Sequence, residues 1–82
     1  MHETITEIRE ALGMNKAQFA AALDCSPAMA TRLENGERAP GPEITRRLWE
    51  ITPENLRQSL EDAVLRASGV PVAYVTGARR DV

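Results

Sequence analysis

The side chains best able to do chemistry lie between Asn15 and Pro40, a stretch of short helices and tight turns. Pro27, Ala28, Thr31, Arg32 and Asn35 stand at relative positions 0, 1, 4, 5 and 8, which is one face of a helix. That face is small at its N-terminal end and polar at its C-terminal end. A helix end free of bulk can approach another surface closely, and a DNA major groove about 12 Å wide admits a helix docked this way. Catalytic chemistry lacks its parts. The only histidine is His2, in a terminal segment where it is expected to be inert, and Glu61 and Asp62 are adjacent on a helix and so diverge. No paired carboxylates, glycine-rich phosphate loop or metal-ligand cluster is present, so no catalytic residue, metal or cofactor is expected.

The elements that hold this face are written in capping chemistry. Thr4 and Glu7 read as a capping box opening a first helix, with Ile5, Ile8 and Leu12 at helical spacing and Gly13 as its stop. Asn15 and Gln18 form a second box, opening a helix whose buried face is Phe19 and Leu23 and whose girth is kept small by Ala20, Ala21 and Ala22. Asp24, a residue type that tolerates a left-handed backbone, follows. Ser26 then caps a third helix with Pro27 at its first position, and Asn35-Gly36 ends it. A turn this short forces a steep crossing, the helix-turn-helix unit. Within the third helix Ala30 and Leu33 are the core pair, with Met29 alongside.

Gly41-Pro42 opens a fourth helix with Ile44, Leu48 and Ile51 on one face. Thr52-Pro53 repeats the cap-plus-proline device and opens a fifth, whose stripe is Leu56, Leu60, Ala63, Val64 and Ala67, closed by Gly69. Val70–Thr76 is β-branched and extended in character, a short strand or an ordered arm, with Pro71 confining it to an edge. The fold class is therefore all-α: five helices plus a short extended C-terminal arm or strand, one domain over residues 1–82 with its helix-turn-helix core at 15–36.

At 82 residues and 43 % hydrophobic content the chain reads as one small globular domain, of a size that often gains stability by self-association. A lone cysteine, Cys25, excludes an intramolecular disulfide and suits a buried small hydrophobe. No apolar run approaches the roughly 18 residues of a membrane span, and the N-terminus lacks the regions of a signal peptide, so a cytoplasmic protein is expected. Net charge is −2, but unevenly placed: residues 1–13 carry −2, residues 14–47 carry +1 and the rest −1. Composition is thus silent on nucleic acid, and placement decides.

Phe19-Ala20, Asp24-Cys25-Ser26, Arg32-Leu33-Glu34-Asn35-Gly36 and Arg38-Ala39-Pro40 together resemble the lambda-repressor and Cro-like helix-turn-helix proteins. The resemblance covers roughly residues 4–51, and its strongest single motif is Leu33–Gly36. It implies a five-helix, dimeric DNA-binding regulator, usually a repressor. In it the third helix is the recognition helix: Pro27, Ala28 and Arg32 face base edges, with Thr31 beside them. Lys16, Ser26, Asn35 and Arg38 match positions at the DNA backbone. Pro27 and Ala28 stand where hydrogen-bonding residues are frequent, and small apolar side chains can only touch a thymine methyl group. Arg32 alone could then make a bidentate guanine contact, worth about 1–3 kcal/mol of discrimination. DNA shape and half-site spacing would supply the rest.

For Arg32 the plain alternative is a solvated side chain or an ion pair with Glu34, Glu37 or Glu43, and Glu34 itself suits an internal ion pair. Trp49 is a core residue or a dimer contact. The fifth helix and arm (53–76) are the expected two-fold interface, through Leu56, Leu60, Val64 and Tyr74. Expected partners are double-stranded DNA and a second copy of the chain, with no membrane and no small-molecule effector indicated. The competing reading is a protein-interaction module, such as an antitoxin or anti-defence regulator, whose partner protein covers the Leu56–Tyr74 surface.

Overall fold

The capping residues place most helix boundaries where local chemistry puts them. The computed structural model describes residues 1–72, which form five α-helices: α1 His2–Ala11, α2 Lys16–Ala22, α3 Pro27–Glu34, α4 Pro42–Ile51 and α5 Glu54–Ser68. There is no strand among the described residues. The Asn15–Gln18 box is complete: Gln18 N donates to Asn15 Oδ1 at 2.8 Å, and Asn15 N to Gln18 Oε1 at 2.9 Å. Ser26 Oγ accepts from Met29 N at 3.1 Å, with Pro27 at the first turn of α3. Asp24 takes the left-handed backbone (φ 59°) that lets the chain reverse between α2 and α3.

Two expected helix starts are corrected. Thr4 and Glu7 do not cap α1, which begins three residues earlier, with Met1 at the cap position, His2 as its first residue and Ile5 N donating to Met1 O at 3.2 Å. Thr4 thus lies inside the first turn, where the peptide groups around it are already helical. Thr52 does not open α5 either. Its hydroxyl turns back onto Leu48 O at 2.5 Å and closes α4, leaving Pro53 as the residue before α5. A threonine hydroxyl can bond the carbonyl four residues back or the amide ahead, and at a junction of two helices only one is met.

The core gathers the stripes of every helix: Ile5 and Ile8 of α1, Phe19 of α2 with Leu23, Leu33 of α3, Leu48 of α4, Leu60 and Val64 of α5, and Val72. Ala30 is also fully buried. In α4 it is Leu48 and Thr45 that are buried, while Ile44 and Ile51 pack at its edge. Of the expected extended arm, Val70 is exposed and Val72 has helical backbone and is buried. Residues 73–76, Tyr74 among them, lie outside the described residues.

Candidate nucleic-acid interface

Local chemistry fixes where α3 points. With Phe19, Ala20, Ala30 and Leu33 sealed inside, the opposite face of α3 is left outward. Pro27, Ala28, Arg32 and Asn35 are exposed and Thr31 is half-buried. The five positions read from spacing therefore do share one outward face. Lys16, placed at the start of α2 by the Asn15 box, is exposed as well. Ser26 is exposed too; its oxygen accepts the cap bond from Met29, and its own O–H remains able to donate.

The loop after α3 is folded back on Arg32, whose carbonyl accepts from Glu37 N at 2.9 Å and Arg38 N at 3.3 Å. Gly36 supplies the left-handed step (φ 77°) that this turn requires. Asn35 and Arg38 stand exposed on either side of it.

Three acidic side chains around this surface, Glu34, Asp24 and Glu43, are paired with cations, while Glu37 in the loop is exposed. Glu34 belongs to α3 but is buried, its side chain only 5 % exposed, with Oε2 at 2.8 Å from Arg9 Nε and Oε1 accepting from the Thr6 hydroxyl at 3.2 Å. Arg9 also donates through Nη1 to Met14 O at 3.1 Å, which ties the α1–α2 turn into the same cluster. Asp24, in the turn between α2 and α3, has Oδ2 at 3.6 Å from Arg47 Nη2. Glu43 lies 2.6 Å from Arg46 and 3.8 Å from Arg47. Glu34 and Glu43 are therefore paired with other cations. Among the described residues Arg32, Lys16 and Arg38 have no acidic partner.

Sequence reasoning anticipated an internal pair for Glu34 but missed Arg9 and Thr6 as its partners. They lie 25 and 28 residues away, beyond the reach of any helical periodicity. Cys25 packs against the core, and burial together with the nearby Asp24 carboxylate pushes its thiol up from the ordinary value. That makes it a neutral packing residue and a poor nucleophile. Trp49 packs at the core's edge on α4, with the Arg57 guanidinium 5.1 Å from its ring centre.

On α5 the expected interface residues separate. Leu60 and Val64 are 0 and 2 % exposed, so they belong to the core of a single chain and offer nothing to a second copy. Leu56 is half-buried at the core's edge. Among the described residues the large apolar side chains that are exposed are Leu65, which the stripe read from spacing did not include, and Val70 of the expected arm. Among the described residues no three His, Cys, Asp or Glu side chains are grouped to hold a metal ion, and no helix is long and apolar enough to cross a membrane.

A model of the helix-turn-helix family, of the Cro and lambda-repressor-like kind, matches residues 5–48, more than half of the chain. No curated protein and no solved structure matches it.

Proposed function

The chain belongs to the Cro/lambda-repressor-like helix-turn-helix family of DNA-binding regulators, and from that premise we propose that it acts as a homodimeric, sequence-specific repressor, most simply of its own promoter. The observation that carries this reading is the outward face of α3: small at Pro27 and Ala28, with an Arg32 that has no acidic partner among the described residues. In this reading two copies of α3 enter successive major grooves about 34 Å apart on a pseudo-palindromic operator. Arg32 reads a guanine, Thr31 lies beside it, and Pro27 and Ala28 lie against thymine methyl groups. Lys16, Ser26, Asn35 and Arg38 hold the DNA backbone and set the register without reading sequence. Occupation of the operator excludes polymerase.

Specificity built on one bidentate contact per subunit is thin, so two-fold repetition is needed to reach useful affinity. Leu60 and Val64 being internal, the reading puts the two-fold contact on the outer side of α5, with Leu65 and Val70 and the edge of Leu56.

The test is selection of a preferred duplex from a randomised pool by the full chain, followed by titration of that duplex across salt. Binding should weaken steeply as salt rises. Arg32→Ala should relax preference at one base pair per half-site and cost about 1–3 kcal/mol there. Lys16→Ala should weaken all duplexes alike and lower the salt slope by about 1 per subunit. Equal, sequence-independent losses from both variants would remove Arg32 from base reading. A second reading draws on the exposed Leu65 and Val70, which also suit a protein partner. Selection that returns no preferred duplex, with another protein co-purifying, would favour it.

A further inference from the structure

The imidazole of His2 lies against Gly36. A Cβ built on Gly36 would stand 3.1 Å from His2 Nδ1, 3.3 Å from Cγ and 3.5 Å from Cε1. The Nδ1 edge of the ring is therefore turned toward the glycine, and Nε2, on the opposite side of the ring, is turned away from it. Any side chain at position 36 would crowd this seat, so Gly36 serves both the left-handed turn and the histidine resting on it. His2 is exposed, as are Asn35, Gly36, Glu37 and Arg38 around it. The first helix thus brings an imidazole onto the loop that follows α3, against the glycine next to Asn35 and two residues before Arg38, the two side chains assigned above to the DNA backbone.

We propose that His2 is a further DNA-backbone contact, with Nε2 donating to a phosphate oxygen beside those reached by Asn35 and Arg38. The inference rests on the DNA-binding reading and extends its surface from the helix-turn-helix to the start of α1. An imidazole supplies one N–H donor when neutral and adds a positive charge when protonated, a change histidines make between about pH 5 and 8. A phosphate neighbour favours the charged form. The other charged groups on the surrounding segments are the Met1 amino group and Glu3 on its own helix, Glu34 with its partner Arg9, and Glu37 and Arg38 in the loop.

The experiment compares the full chain with His2→Ala and His2→Lys, using the duplex selected by the wild-type chain and a mixed-sequence duplex. Affinity and salt slope are measured at about pH 6 and pH 8. Thermal unfolding confirms that the variants are folded. At the lower pH His2→Ala should bind both duplexes about three- to tenfold more weakly, with a salt slope smaller by about 1 per subunit. At the higher pH the gap should narrow, and His2→Lys should bind at least as well as wild type at both. Identical affinities and slopes for wild type and His2→Ala would overturn the contact. So would a loss that is the same at both pH values and not restored by lysine, which would make His2 a packing residue for Gly36. If the wild-type chain binds neither duplex, the DNA reading itself fails, an outcome distinct from either of these.

Discussion

Glu34 shows how much one side chain in α3 can decide. A carboxylate on the outward face of α3, the helix proposed to read DNA, would repel phosphate, yet Glu34 is turned inward, clamped by Arg9 at 2.8 Å and by the Thr6 hydroxyl. What α3 presents outward is then Arg32 without an acid beside it. The clamp has an energetic cost, because two ions are taken from water, and its value lies in mutual dependence more than in net stabilisation. Arg9→Met should therefore destabilise the fold by about 3–5 kcal/mol in urea unfolding, since it leaves Glu34 buried and uncompensated. The double variant Arg9→Met/Glu34→Leu should recover most of that loss. A single-variant loss below about 1 kcal/mol would mean that water reaches Glu34 and solvates it.

At the scale of helices, α2 and α3 are held to their starting points by caps whose partners lie three residues away. Ser26→Ala should lower stability by about 1 kcal/mol, and Asn15→Ala by a similar amount, because it removes the Oδ1 that accepts from Gln18 N while the backbone N–H of residue 15 can still donate to Gln18 Oε1. For a domain of this size each kcal/mol is about 4–8 °C in thermal midpoint, which calorimetry resolves. Such local devices were legible in the sequence, as were the left-handed Asp24 and the shared outward face of residues 27, 28, 31, 32 and 35. Long-range partners were not. Arg9 and Thr6 could not be found as partners of Glu34, and even locally nothing around Thr52 says which of its two possible bonds forms, the one back to Leu48 or the one ahead. Likewise the spacing of Leu60 and Val64 announces burial, but periodicity does not say whether the covering surface belongs to the same chain or to another copy.

Over the whole molecule the net charge of −2 conceals a sorting of cations. Arg9, Arg46 and Arg47 are spent on internal or surface pairs, and Arg57 stacks on Trp49. Lys16, Arg32, Arg38 and Arg66 are left without acidic partners among the described residues; the first three lie on the helix-turn-helix or the loop that follows it, and Arg66 lies on α5. The same scale governs assembly. Leu65→Arg should leave the helical circular dichroism intact while light scattering reports a monomer. Leu60→Arg should unfold the chain instead, because it drives a charge into the core. An unchanged mass for Leu65→Arg would move the two-fold contact off the outer side of α5. The tie between Glu34 and the first helix also bears on time. The α2–α3 hairpin is built from contacts near in sequence, and such contacts form quickly, since little chain must be ordered to make them. The Arg9 and Thr6 bonds to Glu34 close loops of 25 and 28 residues and so require the first helix to be brought back onto α3. By sequence separation alone, the surface that would read DNA is expected to take shape before the lock that hides its negative charge.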